Sequence, residues 1–189
     1  MKRIFLAAIT LSVSQGAFAH VLHEPSISLS SAFFSGLTHP VFGLDHLLML
    51  AAIGLLIAKQ SSPGTQLKLM VFAVLSLGLG LALGTAMGGF AGMEIAIAAS
   101  LLLSGFALCS PIHRDSFWSS AAIAVGLCLL SVHGYAHGVE AVGNVFAFSL
   151  GMMVSAALIV TAFSKVGSTV FSHWAAWGIA ASSLLVALN

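Results

Sequence analysis

The chain has 189 residues, of which 59% are hydrophobic and only 6% are charged, and its formal net charge is +1. Soluble domains carry about 25% charged residues, so this composition excludes a soluble protein and predicts an integral membrane protein in contact with the lipid bilayer. Nucleic-acid binding requires a concentrated basic surface, and the small net charge therefore argues against a nucleic-acid partner.

Residues 1–19 have the organisation of a cleavable secretory signal peptide. A basic start and a short apolar core from Ile4 to Val13 precede a small-x-small cleavage sequence at 17–19. Cleavage at that point would make His20 the first residue of the mature protein. An uncleaved first span is the alternative, although the apolar core is short for crossing a bilayer.

The mature chain, residues 20–189, is predicted to be a single all-α transmembrane domain with six spans. Residues 20–38 are expected to form a periplasmic N-terminal segment and a lead-in helix at the membrane interface. The apolar stretches that follow approach the roughly 20 residues needed to cross a bilayer, although the third is short. These predicted spans are Val41–Ala58, Leu67–Met87, Met93–Leu108, Phe117–Tyr135, Val145–Phe163 and Val170–Leu188. The predicted fold is therefore a six-helix transmembrane bundle that follows a cleavable signal peptide.

The basic residues of the mature chain predict its orientation. If the mature N-terminus is exported, the lysines and arginine all fall in or beside connections on the cytoplasmic side. These residues are Lys59, Lys68, Arg114 and Lys165. The connections on the exported side contain neither lysine nor arginine, as the positive-inside rule requires. We therefore expect a multi-pass protein of the bacterial inner membrane, with both termini in the periplasm.

Two histidines and an aspartate stand at the outer end of the first predicted span. His39, Asp45 and His46 belong to the stretch His-Pro-Val-Phe-Gly-Leu-Asp-His. Ionisable residues at membrane depth are costly and indicate a functional site. His39 and His46 would lie about 10 Å apart on a straight helix, so they bind one ion only if Pro40 and Gly43 break the helix. Otherwise they mark two successive positions on a path. Asp45 is either a ligand or a residue that orients a histidine.

A second cluster lies at the end of the fourth predicted span, in the stretch His-Gly-Tyr-Ala-His-Gly-Val-Glu. His133 and His137 are four residues apart. On a helix their side chains share one face at a distance of about 6 Å, which suits two imidazoles on one metal ion. We expect Gly138 and a short exported loop to let Glu140 turn back as an oxygen ligand or a hydrogen-bond partner.

The predicted topology places both clusters on the periplasmic face of the membrane. Glu94 falls at the outer end of the third predicted span, and His20 and His23 lie above the clusters in the N-terminal segment. Imidazole with carboxylate suits nickel, cobalt, zinc or copper and argues against magnesium or calcium. We therefore predict a site for a divalent transition-metal ion. Its candidate residues are His39, Asp45, His46, His133, His137 and Glu140, with His20, His23 and Glu94 as further candidates.

Glycines recur at four-residue spacing along the second predicted span, at Gly80, Gly84 and Gly88. Small residues at this spacing allow two helices to approach closely, which matters because lipid supplies no hydrophobic drive for helix association. We therefore interpret these glycines as a packing surface for another helix, and a role in contacting a substrate is the less favoured interpretation.

The two histidine-bearing stretches closely resemble the motifs of the HupE/UreJ family of nickel and cobalt permeases. The resemblance extends over essentially the whole mature chain, and its first motif, His-Pro-x-x-Gly-x-Asp-His, is long and chemically unusual. It implies secondary uptake of nickel, or sometimes cobalt, that supplies hydrogenase or urease maturation. The residues that it implicates are His39, Asp45, His46, His133, His137 and Glu140.

We therefore expect a permease and not an enzyme, with nickel or cobalt ions as the transported substrate and no permanently bound cofactor. Two other functions stay open. An intramembrane zinc-dependent hydrolase would use the histidines and a carboxylate to hold zinc and activate water. A metal-binding sensor would bind the ion without transporting it. Assembly into a homo-oligomer is a further open possibility.

Overall fold

The computed structural model describes residues 28–109, 117–141, 143–167 and 181. These residues form helices joined by short connections and contain no strand, so the predicted all-α class is confirmed for them. The helices are α1 (Leu29–Phe42), α2 (Leu44–Ala58), α3 (Pro63–Met87), α4 (Met93–Cys109), α5 (Phe117–Glu140) and α6 (Val145–Gly167). The predicted signal peptide, His20, His23 and the sixth predicted span, Val170–Leu188, lie outside the described residues.

Three helices, α3, α5 and α6, are long and apolar enough to cross a membrane. The pair of α1 and α2 passes the same test as one broken span, whereas α4 is a shorter apolar helix. One side of α3 is exposed and strongly apolar, as expected for a surface in contact with lipid. Its exposed residues include Leu67, Val71, Phe72, Leu75, Leu79 and Leu83. The described residues thus provide three or four spans, and the complete six-span bundle stays a prediction.

The first predicted span, Val41–Ala58, is interrupted close to its start, because the chain breaks at Gly43. The lead-in helix α1 continues to Phe42, and α2 begins at Leu44. The axes of the two helices differ in direction by 75°. The stretch that carries the first histidine cluster is therefore a sharp corner between two helices.

Local backbone chemistry explains the corner. Pro40 lies in the last turn of α1 and has no backbone N–H to continue the hydrogen-bond ladder. Gly43 adopts an extended conformation, with φ −79° and ψ 107°. Its N–H donates to the carbonyl oxygen of His39 at 2.9 Å, and its own carbonyl accepts from the N–H of Leu47 at 2.9 Å. Gly43 therefore ends α1 and begins α2 while both of its backbone groups stay hydrogen-bonded.

Helix α6 packs against both halves of the broken span. A Cβ at Gly36 of α1 would overlap the backbone of Phe148, and a Cβ at Gly151 of α6 would overlap the backbone of Phe33. Gly54 of α2 faces the backbone of α6 in the same way. Helices that meet at glycines gain extensive van der Waals contact, the main attraction available to them in lipid. The position of α6 therefore stabilises the angle between α1 and α2.

The prediction that Gly80 and Gly84 serve helix packing is confirmed by the contact between α3 and α5. A Cβ at Gly80 would overlap the carbonyl oxygen of Ser131, and a Cβ at Gly84 would overlap that of Tyr135. Gly88 has a different role, because it follows the last residue of α3 with a φ of 75°, a conformation that favours glycine. Its carbonyl accepts a hydrogen bond of 2.6 Å from the hydroxyl of Tyr135.

The loop expected at Gly138 is wrong, because α5 continues as a helix to Glu140. Gly138, which we expected to open a loop, packs against α3 instead. A Cβ at Gly138 would overlap the carbonyl oxygen of Leu81, and Thr85 Oγ1 donates to the Gly138 carbonyl at 3.2 Å. Close contact with α3 thus stabilises this part of α5, and His137 lies on the helix.

Substitution of Gly84 by alanine is expected to lower the free energy of unfolding by about 1–3 kcal/mol, because the added methyl group would force α3 and α5 apart. The matched control is Gly64→Ala, where the nearest atom to an added Cβ is 3.8 Å away. Thermal unfolding in detergent, followed by circular dichroism, measures both variants. Equal unfolding temperatures for Gly84→Ala and Gly64→Ala would contradict the close backbone contact.

Candidate metal site

Three histidines from three helices meet at the corner between α1 and α2. His39 lies in the last turn of α1, His46 lies in the first turn of α2, and His137 lies on α5. One ring nitrogen of each can be chosen so that all three lie within 4.8 Å of one another. The ring centroids are 5.1 Å apart for His39 and His46, 4.6 Å for His39 and His137, and 4.1 Å for His46 and His137. We call this set the three-histidine group.

The break at Gly43 favours the first of the two arrangements that the sequence left open for the first cluster, in which both histidines bind one ion. A continuous helix would have kept the rings of His39 and His46 about 10 Å apart. The corner brings the two rings together, so both are available to one ion. Since imidazole nitrogens bind transition metals at about 2 Å, donors less than 5 Å apart need only small side-chain movements to share an ion.

Gly43 is needed at the corner for steric reasons. A Cβ at this position would lie 2.5 Å from Nδ1 and 3.2 Å from Cγ of His46. The φ of Gly43 is −79°, which any residue can adopt, so backbone conformation does not require glycine here. The ring of His46 occupies the space that a side chain at Gly43 would take.

Asp45 orients His46. Its Oδ1 lies 2.5 Å from Nδ1 of His46, and the two side chains are 22% and 13% exposed. An ionised carboxylate only accepts hydrogen bonds, so Nδ1 of His46 carries the proton and donates it. The lone pair of the neutral ring then lies on Nε2, the nitrogen left for a ligand. A carboxylate bonded in this way to a metal-binding histidine sets the orientation of the ring and raises its basicity.

The other histidines of the two clusters carry ring nitrogens that are buried and have no hydrogen-bond partner among the residues that the structure describes. These atoms are Nε2 of His39, His133 and His137. Leaving a buried polar atom without a partner costs about 1–3 kcal/mol, so native proteins seldom retain several together without a use. Three such nitrogens on neighbouring rings fit a site whose partner is an added metal ion.

His133 lies one helical turn from His137 on α5 and is buried. Its ring centroid is 5.7 Å from that of His46, so it adjoins the three-histidine group without being part of it. Its Nδ1 lies 3.1 Å from Oγ of Ser100 on α4. Sequence reasoning missed Ser100, because a single serine in an apolar helix resembles the small residues that pack membrane helices.

A model of the HupE / UreJ protein family matches residues 7–188, nearly the whole chain. The chain belongs to the HupE/UreJ family. A similar protein is the HupE of Rhizobium leguminosarum bv. viciae, which is 29% identical over 140 residues; these cover 74% of this chain and 68% of the relative. No solved structure matches the chain. The resemblance carried by the two histidine motifs is thereby confirmed.

The HupE/UreJ family is associated with nickel and cobalt uptake for hydrogenase or urease, and its members are transport-associated proteins rather than enzymes. The three-histidine group of this member lies within the two motifs that characterise the resemblance. This member of a transport-associated family therefore contains a group of side chains with the chemistry to bind a transition metal.

Two further acids proposed as candidates are not members of the three-histidine group in this HupE/UreJ protein. Glu94 is exposed in the first turn of α4, and Glu140 is exposed as the last residue of α5. Neither belongs to the set of close metal-binding atoms found among the described residues. Their participation in metal binding stays a prediction, as does that of His20 and His23, which lie outside the described residues.

Substitution of Gly43 by alanine is expected to weaken nickel binding to the purified protein by about tenfold or more, because the methyl group would displace the ring of His46. Gly89→Ala is the matched control, since an added Cβ there has its nearest neighbour at 3.4 Å, an ordinary contact. Titration calorimetry gives the affinity, and circular dichroism shows whether the helices are retained. Unchanged affinity in Gly43→Ala would contradict the steric role of this glycine.

Proposed function

We propose that this HupE/UreJ protein is a secondary permease that takes up nickel, or cobalt, across the bacterial inner membrane and supplies hydrogenase or urease maturation. The observation that carries the proposal is the three-histidine group, with nitrogens of His39, His46 and His137 within 4.8 Å of one another. Imidazole nitrogens suit nickel, cobalt, copper and zinc, and family membership favours the first two. The ion is the transported substrate and not a resident cofactor.

The site has the features of an entrance that strips water from an ion. His39, His46 and His137 replace water ligands, while Asp45 orients His46 and adds negative charge beside it. Asp45 and His46 are partly exposed, so the ion has a route to the group from outside. In the predicted topology this side is the periplasm. His20 and His23 would then meet the hydrated ion before it reaches the group.

A permease must also release its ion. Binding has to be favourable enough for the ion to enter and weak enough for it to leave toward the cytoplasm. Three neutral imidazoles provide no net charge, and the single negative charge of Asp45, which is bonded to His46, offsets only half the charge of a divalent ion. The group therefore combines a chemically selective set of ligands with little excess negative charge to hold a divalent cation in place.

We propose that the membrane potential drives uptake. The sequence contains no Gly-x-x-x-x-Gly-Lys-Ser/Thr motif of the kind that binds ATP phosphates. For a divalent ion, a potential of about 100 mV, negative inside, contributes about 4.6 kcal/mol. This corresponds to accumulation on the order of 10³-fold at equilibrium, so no chemical fuel is required.

Uptake of radioactive nickel in a bacterial host without its own high-affinity nickel importers tests the function. The intact protein is expected to confer uptake, and His46→Ala and His137→Ala are each expected to lower its initial rate at least about tenfold, because each removes one ligand. Cys128→Ala, an exposed position on the same helix as His137, is the matched control and should behave like the intact protein. All proteins are compared at equal abundance in the membrane.

The outcomes of this experiment separate the proposal from its rivals. Absence of uptake of any metal by the intact protein, together with tightly retained zinc after purification, would indicate a hydrolase. Metal binding without any change in cellular metal content would indicate a sensor. Normal uptake by His46→Ala and His137→Ala would establish a permease and remove the three-histidine group from its path. Competition by cobalt and zinc ranks the ions.

Reconstitution into liposomes tests the driving force. A potassium gradient with valinomycin sets a potential that is negative inside, and nickel entry is expected to be faster and to reach a higher level than at zero potential. Liposomes containing His137→Ala provide the control for leakage of the bilayer. Entry that ignores the potential but follows an imposed proton gradient would replace potential-driven entry by proton coupling.

A further inference from the structure

Ser100 joins α4 to the second histidine cluster at a buried position. Ser100 and His133 are both buried, and Oγ of Ser100 lies 3.1 Å from Nδ1 of His133. The same hydroxyl donates to the carbonyl oxygen of Ile97 in its own helix, at 2.6 Å. The serine therefore has two partners, one in its own helix and one on α5.

The number of hydrogens on these groups determines the direction of the second bond. A serine hydroxyl carries one hydrogen, and that of Ser100 is already donated to Ile97. Toward His133 the hydroxyl can therefore only accept, so the hydrogen between them belongs to Nδ1 of the imidazole. A neutral imidazole has one N–H, and the lone pair of His133 must then lie on Nε2. That Nε2 is buried and finds no hydrogen-bond partner in the described part of the chain.

We propose that Ser100 is a positioning residue that holds His133 in the tautomer whose Nε2 lone pair is available to the ion as it leaves the three-histidine group. The inference rests on the proposed function, because it assigns a second ligand position to the same path. His46 lies between the two positions, since its ring centroid is 4.1 Å from that of His137 and 5.7 Å from that of His133. An ion can therefore gain His133 as a ligand while it still contacts His46.

The histidines at the start and the end of this transfer, His46 and His133, are held in the same tautomer by different groups. Asp45 accepts from Nδ1 of His46, and Ser100 accepts from Nδ1 of His133. Both rings consequently have the lone pair on Nε2. The acceptor at the outer position is charged and partly exposed, whereas the acceptor at the inner position is a neutral, buried hydroxyl. The inner ligand is therefore the weaker base, which favours onward release over retention.

The tautomer is measured directly in the metal-free, full-length protein. Nitrogen-15 NMR of histidine-labelled protein in detergent distinguishes protonated from unprotonated ring nitrogens, and the signals of His133 are assigned by their loss in His133→Gln. In the intact protein we expect hydrogen on Nδ1 of His133. In Ser100→Ala we expect a mixture of tautomers, because the hydroxyl that accepts from Nδ1 is gone and the backbone carbonyl of Leu129, one turn back on α5, is the acceptor that remains. Hydrogen on Nε2 in the intact protein, or an unchanged tautomer in Ser100→Ala, would overturn the proposal.

Binding and uptake provide the functional measure. Ser100→Ala is expected to lower nickel affinity and the rate of uptake by about 10- to 100-fold, as for other losses of a group that orients a metal ligand. Ser100→Thr keeps the hydroxyl and is expected to retain the Nδ1–H tautomer together with uptake. Ser104→Ala is the control, since Ser104 is buried one turn along α4 and donates to Sδ of Met49 at 3.4 Å. Ser104→Ala should transport normally.

Failure of this inference is distinguishable from failure of the proposed function. If the intact protein transports nickel and Ser100→Ala transports it equally well, the role of Ser100 is wrong and the permease stands. If the intact protein transports no metal, the permease is wrong, and with it the path on which Ser100 acts. The NMR result in the metal-free protein reports the tautomer in either case.

Discussion

The corner between α1 and α2 is the constraint on which the candidate site depends. It replaces a separation of about 10 Å along a straight helix by a ring distance of 5.1 Å between His39 and His46. In many transporters the backbone groups freed at a broken helix bind the substrate directly. In this chain the backbone groups of Gly43 bond to the two helices that it joins, so the break brings histidine side chains together instead. The contact of α6 with both helices stabilises the angle.

On α5 the histidines of the candidate site and the glycines that pack against α3 follow the same four-residue repeat. Each histidine of the second cluster is followed by a glycine, as His133-Gly134 and His137-Gly138. Both glycines meet the backbone of α3. Because neighbouring residues on a helix are rotated by about 100°, the strip of glycines lies beside the strip of histidines. The contact that holds α5 against α3 therefore also sets the direction in which both imidazoles point.

The sequence was sufficient for the all-α class, since hydropathy and helical spacing depend on local composition. The topology predicted from the basic residues also placed the two distant histidine clusters on one membrane face. The sequence also showed that a break near Gly43 would decide whether His39 and His46 can approach each other. The size of the bend depends on packing against α6, and a local sequence pattern carries no information on that contact. The prediction that the helix ends near Gly138 was wrong, because the close contact of α5 with α3 outweighs the low helix propensity of glycine. Ser100 was missed because its role depends on which residue faces it across two helices.

The three-histidine group draws one ligand from each of α1, α2 and α5. An ion held there would act as a reversible cross-link between segments that are far apart in the chain, and it would restrict their relative motion. The buried Nε2 atoms of His39 and His137, which have no hydrogen-bond partner among the described residues, would gain one at the same moment. Any stability that the protein acquires in this way must be given up when the ion leaves. In the proposed permease the affinity of this group for the ion therefore has an upper limit, which is set by how fast the ion must dissociate from all three helices during transport.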